Sequence, residues 1–194
     1  RNYEQLRKTS IAIIKRWGIN SFVKDKNVVS GILISMPGLW EVFLHRQIFA
    51  GLTDGSRQYS QQEYDILQGK RKLRPDFFIE NNNGAYVFDA KYKRGWGESY
   101  EGGPWENRRE DVFQVLSYMY CLKCNIGGVI FPYKGIEDGE YKSFTIGQKL
   151  AASHESMWLV PVKIPEQCEN ARDFEYRMKS ITENIALQIK KVMK

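Results

Sequence analysis

The sequence has few of the side chains that usually hold transition metals. Three cysteines and two histidines stand among its 194 residues. The odd number of cysteines, without a second paired motif, excludes a four-cysteine zinc or iron–sulfur site, and the histidines are too few and too separated for a histidine-based metal site. The thiols fit reduced, mostly structural cysteines of a cytoplasmic protein. These residues are Cys121, Cys124, Cys168, His45 and His154.

Long apolar runs and phosphate-binding loops are lacking as well. No stretch approaches ~18 consecutive apolar residues, which argues against a membrane span, and no secretory signal peptide is visible. The chain has no Gly-x-x-x-x-Gly-Lys-Ser/Thr loop, so any hydrolysis of a nucleoside triphosphate must lie in a partner. It begins at Arg1 rather than at Met, and we expect it to be a piece of a longer protein.

The composition that is present is that of a globular domain. Hydrophobic residues make up 42% and aromatic residues 13% of the chain, which argues against wholesale disorder. The formal net charge of +6 and the isoelectric point near 9.1 favour a polyanionic partner. We find no internal repeat and no linker, so we predict one domain over residues 1–194.

The most informative stretch is Arg74–Lys93, in which two apolar, aromatic-rich runs flank Asn81-Asn82-Asn83-Gly84. This pattern predicts a β-hairpin. If those four residues form the loop, Asp76 falls directly opposite Asp89, with Cβ atoms ~4.5–5.5 Å apart. Because side chains alternate along a strand, Lys91 shares the face of Asp89 while Ala90 points away. The register therefore gathers two carboxylates and one ammonium.

Two opposed carboxylates repel each other unless something compensates their charge. Oxygen ligands of this kind suit Mg²⁺, for which Mn²⁺ can substitute, and Mg²⁺ completes its coordination shell with water and phosphate oxygens. Lys91 could then stabilise a developing phosphorane charge or help to position or deprotonate an attacking water. The alternative is a surface hairpin whose Asp and Lys form solvated pairs, the common situation for an isolated Asp-x-Lys.

Two flanking helices add further candidates. Ser35, Pro37 and Gly51 suit the start and stop of a helix over Met36–Ala50, on which Glu41 lies at the margin of the buried face. A solvated glutamate is the alternative for that position. On a second predicted helix, Glu110–Cys124, two polar residues project from the same face and either border a site or are satisfied at the core edge. They are Gln114 and Tyr118.

Basic and aromatic side chains flank the hairpin on both sides. The segment Leu52–Lys72 is polar and basic and is either a charged loop or a phosphate-backbone contact. The glycine-rich loop Arg94–Arg109 suits contacts with bases and phosphates, with a connector or a docking loop for a partner as alternatives. The candidate DNA contacts are Arg74, Lys93, Arg94, Trp96, Arg108 and Arg109.

The remaining pattern predicts covering helices and further strands. A helix over Asn2–Trp17 would cover one side of the core. Strands are predicted at Gly127–Pro132, Lys142–Ile146 and Trp158–Ile164, the last at a sheet edge because Pro161 cannot donate a ladder hydrogen bond. Asp173 is predicted to cap a final helix whose apolar stripe packs on the domain or forms a partner surface.

Taken in order, these elements resemble the PD-(D/E)XK nuclease superfamily. Pro75-Asp76 matches its first motif, Asp89-Ala90-Lys91 its second, and Gln114-Val115-Leu116-Ser117-Tyr118 the Gln-x-x-x-Tyr motif of the RecB-like branch. Within the superfamily, Leu39-Trp40-Glu41-Val42-Phe43, Asp89-Ala90-Lys91-Tyr92-Lys93 and Asp111-Val112-Phe113-Gln114 look most like McrC, the nuclease subunit of McrBC-type modification-dependent restriction systems. The resemblance covers roughly Met36–Pro132.

The resemblance implies an α/β fold, a restriction-endonuclease-like core with a mixed central β-sheet flanked by helices. It implies that Asp76 and Asp89 hold the metal, with the Ala90 carbonyl and Glu41 completing the shell. Lys91 would contact the scissile phosphate and the water. Gln114 and Tyr118 would orient Lys91 or the phosphate. DNA would be the substrate and a McrB-like AAA+ GTPase the partner, with self-association left open.

We therefore predict a Mg²⁺-dependent DNA endonuclease, the cleaving subunit of a prokaryotic defence system. One alternative is a RecB-like exonuclease or repair nuclease, which linear and covalently closed DNA substrates would distinguish. Another is a catalytically silent DNA- or protein-binding module, which the repulsive carboxylate pair disfavours because such a module does not need it.

Overall fold

The fold was analysed in a computed structural model, which describes residues 34–52, 57–93, 108–133, 142–145 and 155–193. The predicted helix Asn2–Trp17 and most of the loop Arg94–Arg109 lie outside these residues. The backbone divides into two compact units, 1–39 and 40–194. The elements described below belong to the second unit, except for the first four residues of the first helix. The prediction of a single domain stays a prediction.

Three α-helices and eight strands make up the described part of the chain. The helices are α1 (Met36–Leu44), α2 (Arg109–Leu122) and α3 (Ala171–Val192), and a π-helical turn, His45–Phe49, continues α1. The strands are β1 (Arg57–Ser60), β2 (Tyr64–Ile66), β3 (Arg71–Leu73), β4 (Phe77–Asn81), β5 (Gly84–Ala90), β6 (Ile126–Tyr133), β7 (Lys142–Thr145) and β8 (Ser156–Lys163).

Six strands form a mixed sheet in the order β1-β4-β5-β6-β8-β7, and β2 pairs with β3 separately. The β5–β6 and β6–β8 pairs are parallel, whereas β1–β4, β4–β5 and β7–β8 are antiparallel. The predicted α/β fold, with a mixed sheet flanked by helices, is confirmed and is consistent with a restriction-endonuclease-like core.

The predicted hairpin register is confirmed. Phe77 pairs with Phe88 and Glu80 with Ala85. The loop is tighter than the four residues predicted, because Asn81 also pairs with Gly84 and leaves only Asn82 and Asn83 in the turn. Gly84 has a φ of +153°, a conformation that residues with a Cβ rarely adopt.

The two faces of the sheet bury separate apolar clusters because strand side chains alternate. On one face, the π-helical turn and α3 pack against Phe77, Ile79 and Phe88. On the other face, α2 packs against Phe78 and Val87. A Cβ at Gly127 would lie 2.7 Å from Val115 Cγ1, so glycine permits the close approach of α2 to β6. This approach positions the polar stripe of α2 near the end of β5.

Several local predictions need correction. The N-cap of α3 is Asn170, whose side chain accepts hydrogen bonds from the backbone N–H groups of Arg172 and Asp173, so the cap predicted at Asp173 is wrong. Pro161 lies in β8, which has neighbours on both sides, so the edge prediction is wrong for the strand as a whole. The described pairs of β7 end at Leu159, however, and Pro161 therefore interrupts no described β7–β8 bond.

Two segments contain more structure than the sequence pattern indicated. The polar stretch Leu52–Lys72 contains β1 and β2 and most of β3, which are short and whose residues are exposed or half-buried. The predicted helix Met36–Ala50 exists, but its last part widens into the π-helical turn. None of the described helices has the length and apolar character that crossing a bilayer would require.

Candidate metal and phosphate site

Three neighbouring strands place polar residues in a row at one end of the sheet. The β1–β4 ladder ends at Ser60 and Phe77, so the next positions along it are Gln61 and Asp76. The β4–β5 ladder ends at Phe77 and Phe88, so Asp89 lies at the position that faces Asp76. The register therefore brings Gln61, Asp76 and Asp89 together across three strands.

Asp76 is half-buried, and both of its carboxylate oxygens accept hydrogen bonds. The backbone N–H of Ala90 donates to Oδ2 at 2.7 Å, and Nε2 of Gln61 donates to Oδ1 at 2.7 Å. Pro75 before it is buried and fixes the backbone where the chain enters β4. These contacts hold the Asp76 carboxylate against the end of β5.

Glu41 reaches the same place from α1. Its Oε2 accepts a hydrogen bond of 3.1 Å from Nε2 of Gln61, the nitrogen that also donates to Asp76. Burial, and next the negative charge of Asp76, raise the pKa of Glu41 above its ordinary value. The structure therefore brings Glu41 into the carboxylate cluster, with one amide between it and Asp76.

Asp89 and Lys91 form the buried part of the site. Asp89 is 2% exposed, and its Oδ2 forms an ion pair with Nζ of Lys91. Burial, followed by the charge of Asp76, raises the pKa of Asp89 to about 7. Burial alone would lower the pKa of Lys91, but Asp89 and Asp111 together hold it above its ordinary value. Lys91 therefore stays protonated, whereas Asp89 titrates near neutral pH.

The polar stripe of α2 holds Lys91 from the other side. Nζ of Lys91 donates to Oε1 of Gln114 at 2.8 Å, and Nε2 of Gln114 donates to the Tyr118 hydroxyl at 2.7 Å. That hydroxyl donates to the backbone carbonyl of Arg74 at 3.3 Å. Burial, followed by the charge of Asp89, raises the pKa of Tyr118, so its hydroxyl stays protonated. The predicted shared face of Gln114 and Tyr118 is confirmed.

Two residues at the site were not among the predicted site residues. The sequence gives no signal for Gln61, because β1 is short and polar and shows no alternation of apolar and polar residues. Asp111 was named only within the Asp111-Val112-Phe113-Gln114 run of the resemblance and was given no role, yet it is buried, 2.6 Å from Nζ of Lys93 and 3.5 Å from Nζ of Lys91. Its place beside two lysines follows from the docking of α2, which no local pattern reveals.

The predicted DNA contacts divide into three groups. Arg74 and Arg109 are exposed, and the Arg109 guanidinium lies 5.2 Å from the ring centroid of Phe113. Lys93 is half-exposed but forms the ion pair with Asp111, and Arg108 is half-buried. Arg94 and Trp96 lie outside the described residues. DNA contact by these side chains stays a prediction.

The donor set fits a hard divalent cation in charge and chemistry. Asp89 Oδ2 is buried and, within the described residues, makes no hydrogen bond of ordinary geometry beside its ion pair. Carboxylate oxygens are among the ligands that Mg²⁺ prefers. Among the described residues, no three His, Cys, Asp or Glu side chains already converge on one point as a metal would require. The carboxylates of Glu41, Asp76 and Asp89 suit Mg²⁺ in their chemistry, but the structure does not arrange three of them as a formed metal site among the described residues.

Comparison with known proteins identifies the family. A family model described as McrBC 5-methylcytosine restriction system component matches residues 1–132. This range contains Glu41, Asp76, Asp89 and the polar stripe of α2, while β7, β8 and α3 lie beyond it. A search of curated proteins gives no match. Because the match spans well over half of the sequence, the chain belongs to the McrBC family of 5-methylcytosine restriction system components.

Proposed function

We propose that this chain is the nuclease of its restriction system, a Mg²⁺-dependent DNA endonuclease that hydrolyses phosphodiester bonds. The observation that carries the proposal is the cluster at the ends of β4 and β5, where Lys91 lies between buried Asp89 and Gln114. A protonated lysine beside carboxylates, in a basic protein, suits the stabilisation of the negative charge that develops on the phosphate during phosphodiester hydrolysis.

The metal would be held by Asp76 and Asp89, with the Ala90 carbonyl and Glu41 completing the protein ligands. Bound Mg²⁺ supplies Lewis-acid polarisation of a phosphoryl oxygen. The β4–β5 register supports these assignments, because it aligns the first two carboxylates before any ion arrives. Ala90 also donates its backbone N–H to Asp76, so one peptide segment supports the ligand set.

Lys91 would neutralise charge that develops on the scissile phosphate. Its ammonium group contacts Asp89, Gln114 and Asp111, and these three contacts restrict the movement of the side chain. Gln114 in turn is held by Tyr118. Such fixed charges are effective because little reorganisation is needed when the phosphate charge develops.

DNA and a second subunit complete the proposal. Arg74 and Arg109 are exposed and suit contacts with the phosphate backbone, which are sequence-independent and weakened by salt. Arg94 and Trp96, from the loop between Lys93 and α2, are proposed as further contacts. Because the chain has no P-loop motif, we assign GTP hydrolysis and recognition of modified DNA to a McrB-like AAA+ partner.

Cleavage of a covalently closed plasmid by purified variants tests this function. With Mg²⁺, GTP and the McrB-like partner present, Asp89→Asn and Lys91→Met should each reduce cleavage by about 10³-fold or more, since each removes a group required in the transition state. Asp173→Asn and Lys72→Met are matched controls, because both residues form ion pairs elsewhere, with Arg177 and Glu63. Cleavage by Asp89→Asn at the wild-type rate would refute the proposed mechanism.

A further inference from the structure

Strands β2 and β3 form a short hairpin that is separate from the six-stranded sheet. Near its tip, Ile66 pairs with Arg71. The backbone N–H of Lys70 donates to the carbonyl of Leu67 at 3.2 Å and closes the turn. The two residues between them have positive φ angles, as type I′ turns require. The hairpin therefore ends in a tight turn.

The base of the hairpin is fixed beside the candidate site. Tyr64 pairs with Leu73 there, and both pack against the apolar cluster between the sheet and α2. The ring of Tyr64 meets that of Phe78 edge-on, with centroids 5.6 Å apart. The next residue after β3 is Arg74, whose carbonyl accepts a hydrogen bond from the Tyr118 hydroxyl. Helix α2, which carries the polar stripe of the site, therefore also holds the base of this hairpin.

The tip of the hairpin carries positive charge that no acidic side chain neutralises. Lys70, Arg71 and Lys72 are consecutive and exposed. Nζ of Lys72 lies 2.6 Å from Oε2 of Glu63, and Lys72 pairs with Asp65 across the strands. Neither Lys70 nor Arg71 forms an ion pair within the part of the chain that the structure describes. Two of the three cations are therefore available to an anionic partner.

The chain keeps these two cations close to the candidate site. Asp76 is five positions after Arg71, and five peptide units of ~3.3–3.6 Å span at most about 18 Å. Each strand of a DNA duplex has one phosphate per ~3.4 Å of helix axis. The Cα atom of Arg71 therefore lies no further from that of Asp76 than about five base pairs of a bound duplex.

The composition of the hairpin favours a phosphate backbone over a protein surface. Protein interfaces usually have an apolar or aromatic centre. Within residues 64–73, all of which the structure describes, Leu67 is the one large apolar side chain that is exposed. Lysine and arginine are the side chains that most often contact DNA phosphates. The exposed Arg74, already proposed as a DNA contact, continues the positive charge toward Asp76.

We propose that the β2–β3 hairpin binds the phosphate backbone of duplex DNA beside the cleaved bond, through Lys70 and Arg71. The inference rests on the proposed action of this chain on DNA. The contact is electrostatic, so it reads no base sequence and weakens as salt is added. It positions the duplex at the site and does not select the DNA.

Fluorescence anisotropy with a labelled DNA duplex tests the contact on the full chain, in EDTA to prevent metal-dependent cleavage. Lys70→Met combined with Arg71→Met should weaken binding by about tenfold at constant salt. The same double variant should lower the slope of log affinity against log salt by about 2, since each phosphate contact contributes ~0.9.

Two matched controls separate a local contact from the net charge of the chain. Arg172→Met combined with Lys191→Met removes two exposed cations from α3, which packs on the opposite face of the sheet from the hairpin, and should change the affinity by about twofold or less. Lys70→Arg combined with Arg71→Lys keeps both charges at the tip and should bind DNA as tightly as wild type.

The outcomes distinguish this inference from the nuclease proposal. If wild type cleaves and the Lys70, Arg71 double Met variant binds DNA as wild type does, or if the α3 control loses as much affinity, the DNA contact is overturned and the nuclease proposal stands. Absence of DNA binding by wild type at about 50 mM salt would also overturn the contact. Unchanged DNA affinity with lost binding of the McrB-like partner would assign the hairpin to that protein instead. If wild type does not cleave while the double variant binds DNA more weakly, the nuclease proposal is wrong and the contact stands.

A second measurement uses the wild-type protein and does not depend on whether a variant folds. Acetylation of lysines, followed by mass spectrometry, should show that Lys70 loses most of its reactivity when the duplex is bound. The exposed Lys191 of α3 should react equally with and without DNA. Equal reaction of Lys70 in the two states would contradict the inference.

Discussion

The turn of the β4–β5 hairpin is held by neutral hydrogen bonds, while its open end carries opposed charges. At the turn, Oδ1 of Asn81 accepts from the N–H groups of Asn83 and Gly84, at 2.8 and 3.1 Å. The side chains of Asn81, Asn83 and Tyr86 all donate to the backbone carbonyl of Met193 after α3. Each of these three side chains therefore has a hydrogen-bond partner within the protein.

At the open end, by contrast, basic side chains do not fully neutralise the acidic ones. Asp76 faces Asp89 across the strand pair and shares the Gln61 amide with Glu41, and the pKa values of Asp89 and Glu41 are raised by burial and by Asp76. Lys91 compensates part of this charge. Hydrogen bonds within the protein thus stabilise the turn of this hairpin, whereas the carboxylates at its open end keep negative charge that a bound cation would neutralise. Substitutions at the open end should therefore mainly reduce cleavage, whereas substitutions at the turn should mainly reduce stability.

The largest effect is expected at the open end. Asp76→Asn should reduce plasmid cleavage by about 10³-fold, because it removes a ligand charge. The free energy of unfolding without metal should stay within about 1 kcal/mol of wild type, since a repulsion is lost while the amide oxygen still accepts from the N–H group of Ala90, and the loss of the hydrogen bond from Gln61 offsets this gain. Cleavage assays and urea denaturation measure the two effects. A variant that loses more than about 3 kcal/mol would show that Asp76 is mainly structural.

An intermediate effect is expected from pH. The pKa of Asp89 is raised to about 7 in the metal-free protein, and a cation binds its ionised form. Below that value a proton must be displaced, so Mn²⁺ affinity should be about tenfold weaker at about pH 6 than at about pH 8. Calorimetry at the two pH values measures this. Equal affinities would mean that the Asp89 proton is not linked to metal binding.

The smallest effect on cleavage is expected at the turn. Asn81→Ala removes the acceptor of two backbone N–H groups and a donor to Met193, and should lower the free energy of unfolding by about 1–3 kcal/mol. Cleavage below the melting temperature should stay within about twofold of wild type. Asn82→Ala, at the exposed turn position, is the control and should change neither quantity. A large loss of cleavage in Asn81→Ala would show that the turn is needed for cleavage as the open end is.

Sequence prediction succeeded where the signal was local. The register of β4 and β5 follows from alternation and from a polar turn of fixed length, so the alignment of Asp76 with Asp89 was predictable. The common face of Gln114 and Tyr118 follows from helix periodicity alone. The prediction for Asp173 failed because Asn170, three residues earlier, offered an equally good cap.

The sequence by itself determined that Asp76, Asp89 and Lys91 share the open end of the hairpin, because the period of a strand relates residues that are close along the chain. Only the tertiary structure decided that Gln61 joins Asp76 and Glu41, and that Asp111 joins Lys91 and Lys93. Those contacts depend on the pairing of β1 with β4 and on the close docking of α2 at Gly127. Both are long-range events, stabilised by burial of whole faces, and no short pattern specifies them.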